Sequence, residues 1–466
     1  VGAVLQFEKM HFYPDKSAPD KAGMFTFSVT NAGDAPSQPV QVAVRAPDGW
    51  RVQPLRVPDA RSIAPGDGLT YRWQVQGMLK PSALRLTATD GRETTEETFR
   101  LAPSVELESV LMKSAMAAPG GTVEIVATVR NRGTAIAEGV ELRCTLPMSG
   151  APLVFLSGNA QKVPPIAPGG KAVVRWKMRA GSQPGEWQVD CTLRAPETLP
   201  QSARSTLIIT DALKRPAQPV VGTLWIRRGS DRTIGELRVG NRVVARMPHL
   251  GSVVVKLPDG SVQRLFPRYL PPVRRCPRSP YMFNGGARDR AGARWTFTLT
   301  VQPVDSHTLR LEYACVPDKP RDVLAFEGPI LLVGDGSTAD AKEEALLPGL
   351  EWLTADEVSS SDLDIAKDHP DRMRFVPHPH KVTIPAMGVK TPAAVVGLLW
   401  NVHDRWGKGQ QMPQPVFAVP DRLKGTATHR LGLIAPNVPA GLGENRLTAE
   451  KPFRVTPDGY LRLSAL

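Results

Sequence analysis

The amino-acid sequence predicts an all-β protein: two tandem β-sandwiches followed by a large antiparallel sandwich domain. Three observations predict this fold class. The 466 residues include 40 glycines and 45 prolines, more turn residues than an ordinary globular chain carries. Short runs between these turns alternate apolar and polar residues, as half-buried strands do. The first part of the chain, about 210 residues long, also carries an internal repeat.

The repeat has a period near one hundred residues. In each copy an alternating strand runs into an Asn-x-Gly turn, at Asn31 in the first copy and at Asn131 in the second. Further matches are Ile63–Gly66 with Ile166–Gly169 and Arg72–Trp73 with Arg175–Trp176. We therefore expect homologous sandwiches over residues 1–102 and 103–212, with a third domain over residues 213–466.

The third domain is expected to begin at a linker-like stretch, residues 214–219, which are charged and contain two prolines. Turns at Gly240–Asn241 and Pro258–Gly260 separate alternating runs and predict hairpins. A short helix is predicted over residues 338–347, because Ser337 can cap its start and a Pro-Gly pair follows its end. Alternating runs resume beyond it and predict a single large sandwich.

The two repeats resemble the bacterial CARDB-type immunoglobulin-like modules and the similar sandwich attached to some galactosidases. The strand with its Asn-x-Gly turn, at Asn31 and Asn131, and the later Ile-Ala-Pro-Gly turn carry this resemblance. It implies an immunoglobulin-like fold for each copy. It also implies a role as a spacer, a docking surface or a carbohydrate binder.

The third part looks like the β-supersandwich that precedes the (α/α) toroid of several glycoside hydrolases and polysaccharide lyases. Residues carrying the likeness are Phe326–Pro329, Gly334–Gly336, Glu344–Trp352 and Val395–Trp400. Together, the two resemblances imply two immunoglobulin-like β-sandwiches followed by a large antiparallel β-supersandwich. In those families the toroid supplies most catalytic residues. This sequence shows no helical repeat of that kind up to Leu466. We therefore expect an accessory region, with a catalytic domain downstream as its partner.

Charge and motif content narrow the function classes. The chain has 58 Lys and Arg against 45 Asp and Glu, a net charge of +13. It has no run of about 18 apolar residues, so no membrane span is expected, and it lacks P-loop, dinucleotide-binding and nucleophile-elbow motifs. No nucleic-acid-binding pattern accompanies the basic charge, so nucleic acid is not expected as a partner.

A cluster of basic residues predicts an anion site. The five arginines are Arg274, Arg275, Arg278, Arg288 and Arg290. Guanidinium groups bind carboxylates and sulfates bidentately, so an acidic polysaccharide is the expected ligand. The alternative interpretation is a set of solvated loops.

The four cysteines lack the spacing of a zinc site, and no metal centre is expected. Cys144 and Cys191 lie on the apolar faces of two alternating runs, which favours a disulfide between sheets next to a buried tryptophan. Two reduced, buried thiols are the alternative. Cys276 and Cys315 form a looser candidate pair. An even number of cysteines is consistent with export into an oxidising compartment.

The segment from Glu343 to His380 is rich in titratable side chains. Glu351 with Asp362 or Asp364 would supply the two carboxyl groups of a glycoside hydrolase, if they came within about 5–9.5 Å. His378 and His380 are candidates for proton transfer. The Asp362–Asp364 pair resembles the start of a calcium loop without its glycine and distal glutamate; no cofactor is expected. Solvated acids on turns are the competing interpretation.

One polar loop is bracketed by two large aromatic residues and predicts a sugar contact. Its residues are Trp400, Asn401, His403, Asp404, Arg405 and Trp406. Aromatic rings stack on sugar C–H faces while the polar side chains bond hydroxyl groups. Alternatively, both tryptophans pack in the core.

Together these observations favour an exported carbohydrate-recognition or accessory region of a polysaccharide-degrading bacterial protein, located outside the cell, in the periplasm or on the cell surface. One alternative is a glycoside hydrolase or lyase complete within the third domain. The other is a surface adhesion or scaffolding protein without sugar specificity.

Overall fold

The computed structural model describes residues 2–146, 153–329, 331–333, 343–347, 351–354, 373–375, 384, 386–399, 414–420, 430–434, 453–457 and 461–466. Across these residues the chain forms antiparallel sheets, with one short parallel pairing. The one helix in this part of the chain is a 3-10 turn, Asp211–Lys214. The predicted all-β fold class is confirmed. None of the described segments forms a helix with the length and apolarity needed to cross a membrane.

Unit 1 is a sandwich of two sheets around one apolar core. Its strands are β1 Leu5–Pro14, β2 Ala22–Asn31, β3 Gln41–Arg45, β4 Arg51–Arg56, β5 Gly68–Gln76, β6 Ser82–Thr89 and β7 Thr94–Leu101. The front sheet has the order β1-β2-β5-β4, and the back sheet has the order β3-β6-β7. Along β2, Phe25, Phe27 and Val29 are buried and the residues between them are half-buried. This alternation places one face of the front sheet on the core and the other toward solvent.

Unit 2 repeats this plan. Its strands are β8 Val105–Met112, β9 Met116–Ala117, β10 Thr122–Asn131, β11 Glu141–Thr145, β12 Leu153–Phe155, β13 Ala160–Lys162, β14 Lys171–Ala180, β15 Gly185–Ala195 and β16 Thr198–Ile209. The front sheet has the order β12-β14-β10-β8, and the back sheet has the order β13-β11-β15-β16-β9. Strands β8, β10 and β14 therefore correspond to β1, β2 and β5. The exact bounds at 102/103 and 212/213 stay predictions.

A buried asparagine explains the repeated turn motifs. Asn31 is fully buried; its Oδ1 accepts from the Val4 and Gly33 amides at 3.0 Å each, and its Nδ2 donates to the carbonyls of Ala35 and Ile63. Asn131 makes the same four bonds, to Ser104, Gly133, Ala135 and Ile166. One side chain thus satisfies backbone groups of the Asn-x-Gly turn and of the Ile-Ala-Pro-Gly turn, which is why both motifs recur together.

Unit 3 holds the remaining sheets. Its strands are β17 Gln218–Val221, β18 Leu224–Arg228, β19 Thr233–Val239, β20 Arg242–Met247, β21 Leu250–Lys256, β22 Val262–Leu265, β23 Arg268–Tyr269, β24 Tyr281–Arg288, β25 Arg294–Pro303, β26 Leu309–Pro317, β27 Arg321–Pro329, β28 Leu332–Val333, β29 Glu344–Leu347, β30 Glu351–Thr354, β31 Met373–Phe375, β32 Ala386–Lys390, β33 Val395–Leu399, β34 Gln414–Pro420, β35 Arg430–Ile434, β36 Phe453–Val455 and β37 Leu461–Ala465. Sheet orders are β17-β18-β19-β20-β28, β22-β21-β27-β36, β23-β24-β25-β26-β37, β30-β29-β32-β33 and β31-β34-β35. The predicted hairpins at Gly240–Asn241 and Pro258–Gly260 are confirmed.

The predicted helix over 338–347 is wrong where the structure describes it. Residues Glu344–Leu347 form strand β29, which pairs with β30 and with β32. Ala345 faces the core, and Glu344 pairs with Lys390 of β32 at 3.3 Å. Pairing with two neighbouring strands thus overrides the local capping pattern.

The units join through packed contacts. Between units 1 and 2, the Ile136 amide donates to the Leu79 carbonyl at 2.7 Å, and Leu79 is fully buried. Between units 2 and 3, Ala212 of the 3-10 turn is buried in a cluster with Ile208 and Ile234. The segment predicted as a linker begins in the 3-10 turn and ends in β17, and its role as a linker stays a prediction.

Candidate functional site

Most residues predicted for catalysis and sugar contact lie outside the described residues. These are Asp362, Asp364, His378, His380, Trp400, Asn401, His403, Asp404, Arg405 and Trp406. Glu351 opens strand β30, where its backbone pairs with Leu347. The roles of these residues, and the calcium interpretation at Asp362 and Asp364, stay predictions.

The arginines predicted to bind one anion divide between the two ends of β24. Those at 274, 275 and 278 precede the strand, and Arg274 donates to the Tyr281 hydroxyl at 3.1 Å and stacks on its ring. Arg288 ends the strand, and Arg290 lies just beyond it, where it donates to Ser261 Oγ at 3.3 Å. A strand of this length separates its ends by roughly 20 Å. The structure therefore does not bring the five arginines to one anion.

The cysteine predictions separate into one success and one failure. Cys144 and Cys191 form a disulfide in the core of unit 2, which also contains the fully buried Trp176. The bond joins opposed residues of neighbouring strands β11 and β15 within the back sheet, so its predicted position between sheets is wrong. Cys276 and Cys315 are not bonded, because Cys276 lies in an exposed loop and Cys315 points into the core of unit 3.

The outward side of the front sheet of unit 1, the front face, is the best candidate site among the described residues. Strand pairing arranges its side chains in rows across four strands. The first row is Tyr13, Met24, Gln74 and Gln53, and the second row is His11, Thr26, Arg72 and Arg56. A third row holds Glu8, Ser28 and Thr70, with the two hydroxyl groups 3.1 Å apart. Three spacings between strands make the face about 14 Å wide.

Two aromatic rings stand at the β1 edge of the front face. The rings of His11 and Tyr13 have centroids 6.2 Å apart, and Tyr13 is 51% exposed. A bulge between Glu8 and His11, with Lys9 at φ 51°, shifts the alternation of β1. Strict alternation continued from Glu8 would point His11 and Tyr13 toward the core, and the bulge turns them outward because a shift of one position exchanges the two faces of a strand.

Arg72 occupies the middle of the second row and is exposed. Among the described residues it has no carboxylate within ion-pair distance. Its neighbours in the row are Thr26 and Arg56. The front face therefore offers aromatic ring surfaces at one edge and amide, hydroxyl and guanidinium groups across the rest.

On the matching face of unit 2, ion pairs occupy the positions equivalent to Arg72 and Tyr13. Arg175, the counterpart of Arg72, donates to Glu124 at 2.9 Å, and Lys113 lies 3.6 Å from the same carboxylate. The hydrogen bond from Arg175 holds the pKa of Glu124 below its usual range. Arg130 pairs with Glu108 at 2.9 Å on the same sheet.

Unit 3 contains a cavity of about 300 Å³ between its sheets. Its walls are mostly aliphatic, with Leu224, Met247, Leu311 and Leu398 among the lining residues. This lining suits an apolar ligand better than a saccharide, which needs several polar partners.

The comparisons with known proteins concern the same unit as the front face. Residues 17–90 match the family described as NPCBM-associated, NEW3 domain of alpha-galactosidase. This is a carbohydrate-associated β domain, and the match agrees with the predicted resemblance to a sandwich attached to galactosidases. It includes β2, β4 and β5 of the front sheet. The comparison with curated proteins gives no match.

Solved structures give distant likenesses. The secreted serine protease VesC from Vibrio cholerae is 11% identical, with 39% of this chain and 47% of that chain covered and a TM-score of 0.18. The adhesin InvE of Yersinia pseudotuberculosis is 9% identical over 48% and 67%, with a TM-score of 0.20. A glycosyl hydrolase family 2 member from Bacteroides cellulosilyticus is 11% identical over 40% and 23%, with a TM-score of 0.17. These likenesses carry no functional argument.

The sequence patterns do not by themselves predict the front face. The match of Arg72–Trp73 to Arg175–Trp176 aligns the two repeats, and in that alignment Met24 stands in place of Glu124 and Tyr13 in place of Lys113. That exchange of an ion cluster for an apolar and an aromatic side chain is the signal that identifies the site.

Proposed function

We propose that this chain is an exported carbohydrate-recognition and accessory region of a polysaccharide-degrading protein, and that it binds saccharide on the front face of unit 1. The observation that carries the proposal is the overlap of three of the four strands of that face, β2, β4 and β5, with the match to a carbohydrate-associated domain over residues 17–90. Tyr13 and His11 lie on β1, just before the matched residues. The disulfide in unit 2 supports export, because such bonds persist in oxidising compartments.

The chemistry of the front face supports sugar contact. Tyr13 and His11 offer ring surfaces on which pyranose C–H groups can stack. Gln74, Gln53 and Thr26 supply amide and hydroxyl groups that donate to and accept from sugar hydroxyls. A saccharide laid across the strands would meet the rings at one edge and the polar groups in the middle.

Units 1 and 2 would then act as an arm for the third domain. The buried joints at Leu79 and Ala212 support a fixed arrangement of the arm. In the proposed organisation, residues 1–102 and 103–212 form the arm and residues 213–466 the supersandwich-like domain, which serves a downstream catalytic domain. The loop from Trp400 to Trp406 would be a second sugar contact.

A binding and product screen tests this function. The purified chain is run on native gels that contain neutral or acidic polysaccharides, and released sugars are measured in the same samples. We expect retardation without products, and its loss in Tyr13→Ala. Lys113→Ala is the matched control, because Lys113 is the counterpart of Tyr13 in unit 2. A Trp400→Ala/Trp406→Ala variant tests the second contact.

Two other outcomes would reject the proposal in favour of the competing functions. New reducing or unsaturated ends would indicate an enzyme within the third domain, and variants at Glu351, Asp362 and His378 would then be examined for lost products. Neither retardation nor products with any polysaccharide would favour an adhesion or scaffolding protein.

A further inference from the structure

The exposed charge of Arg72 arises from a specific difference between the repeats. In unit 2 the carboxylate of Glu124 lies between Arg175 and Lys113. In unit 1 the equivalent of Glu124 is Met24, which cannot accept a charge-assisted hydrogen bond from the guanidinium of Arg72. An arginine thus occupies the same position in both units, but its acidic partner is present in unit 2 and missing from unit 1.

A second guanidinium faces Arg72 directly. Arg56 of β4 is the register partner of Arg72, so the two Cβ atoms lie about 5 Å apart on the same face. Like charges directly opposite each other on neighbouring strands destabilise the sheet. Among the described residues neither arginine has a carboxylate within ion-pair distance. An anion bound from solvent would remove this repulsion.

The other charged residues of the front face also favour the binding of an anion from solvent. Arg51 extends the positive side along β4, where it pairs in register with Gln76. The acidic residue in the three rows is Glu8, which lies beside Ser28 in the third row. Its strand, β1, is two strands away from the strand of Arg72. Positive charge therefore collects on the β4 and β5 side, and the aromatic rings stand on the β1 side.

We infer that the front face of unit 1 binds an acidic polysaccharide, with a carboxylate or sulfate group of the sugar held by Arg72 and Arg56 and a neighbouring ring stacked on Tyr13 and His11. The inference rests on the proposed function and names its substrate class. Two strand spacings, about 10 Å, separate β1 from β5, so the ring contact and the anion contact fall on different parts of one saccharide chain. Guanidinium groups hold carboxylates and sulfates through paired N–H donors.

The test uses affinity electrophoresis of the full chain. One gel series contains polygalacturonate and, as its neutral partner, the fully methyl-esterified polymer; another contains dextran sulfate and unmodified dextran. We expect retardation by polygalacturonate, by dextran sulfate or by both, and much weaker retardation by the neutral partners. Which acidic polymer acts at the lower concentration distinguishes carboxylate from sulfate recognition.

Four single substitutions separate a built site from general basic charge. We expect Arg72→Gln and Arg56→Gln each to weaken binding of the acidic polymer at least about tenfold, because each removes a charge-assisted contact. Arg175→Gln removes the same charge from the matching position of unit 2, and its binding should stay within about twofold of the wild type. Met24→Glu should weaken binding as much as Arg72→Gln, because it installs the acid that Glu124 supplies in unit 2. Thermal unfolding checks that each variant is folded.

Each remaining outcome counts against the inference. Equal losses for Arg72→Gln and Arg175→Gln would mean that net charge alone attracts the polymer. Loss in Arg274→Gln, with Arg72→Gln unaffected, would move the anion site to the loop before β24. Equal binding of neutral and acidic polymers, abolished by Tyr13→Ala alone, would overturn the acidic class and leave the proposed function intact. Failure to bind any of the four polymers or the neutral polysaccharides of the wider screen would overturn both.

Discussion

Units 1 and 2 place corresponding strands in the same order around an apolar core, and their front faces differ in chemistry. On unit 2, Glu124 gathers Arg175 and Lys113 into one ion cluster. On unit 1 the same three positions hold Met24, Arg72 and Tyr13. Exposed ion pairs contribute little stability, so a duplicated sandwich can lose them at small cost. The comparison teaches that the front face could change its chemistry while the buried core and the asparagine bonds kept the fold.

The cores of units 1 and 2 are stabilised by different interactions. Unit 1 packs rings against one another, with Phe27 and Tyr71 at 5.5 Å and Phe25 and Phe99 at 4.9 Å between centroids. Unit 2 contains the disulfide between Cys144 and Cys191. Aromatic contacts stabilise the folded state directly, whereas a disulfide acts largely on the unfolded chain. The two units should therefore respond differently to reduction.

The largest predicted difference follows from the disulfide. Replacing Cys144 and Cys191 by alanine should destabilise unit 2 by about 4 kcal/mol, because the bond closes a long loop in the unfolded chain. Unit 1 contains no cysteine. Hydrogen exchange followed by mass spectrometry would measure this, since amides of β10 and β14 should lose protection while those of β2 and β5 keep it. Equal loss in both units would contradict independent stabilisation and would indicate that the joint at Leu79 makes them one cooperative block.

A smaller difference should appear with pH. The pKa of Glu124 is lowered by its hydrogen bond from Arg175, so the folded state binds its proton less readily than the unfolded state. The contribution is fully present above the usual range of a glutamate pKa and is lost as the pH falls through the lowered pKa of the folded state. Glu124→Gln should therefore cost under about 1 kcal/mol at pH 7, and this cost should shrink as the solution becomes more acidic.

Urea unfolding of the two proteins at several pH values checks this prediction. The matched control is Met24→Gln in unit 1, where any change in the free energy of unfolding should be independent of pH. A gap between wild type and Glu124→Gln that stays the same as the pH falls would show that Glu124 acts through packing rather than through its charge.

The sequence predicted the fold class well because alternating runs and turn residues are local signals. It also predicted the bond between Cys144 and Cys191, since both lie on the apolar side of their strands. It failed at Glu344–Leu347, where pairing with β32 outweighs local capping. It could not show the front face, because Tyr13, Met24 and Arg72 are distant in the chain and meet only through strand register. The bulge at Lys9 further hides the orientation of His11 and Tyr13 from a simple alternation.

We expect the smallest effect on stability, and the sharpest effect on binding, when front-face residues of unit 2 are replaced by their counterparts from unit 1. In a chain whose own site is disabled by Arg72→Gln, Lys113→Tyr and Glu124→Met would give unit 2 the residues of unit 1 and release Arg175. Because the positions are solvent-facing, we expect the free energy of unfolding to change by no more than about 0.5 kcal/mol. Affinity electrophoresis in polygalacturonate and in dextran sulfate should show partial recovery of retardation.

Recovery should stay incomplete for two reasons. The sequence places leucine at position 111, where unit 1 has His11. In addition, no described residue of β12 pairs in register with Arg175 as Arg56 pairs with Arg72. Lys113→Tyr with Glu124 retained is the control, since Glu124 would still neutralise Arg175. Recovery in that control would mean that the ring alone suffices. Absence of recovery in the double exchange would mean that the Glu124 to Met24 difference does not by itself open the face, and that the opposed arginines of unit 1 are the necessary element.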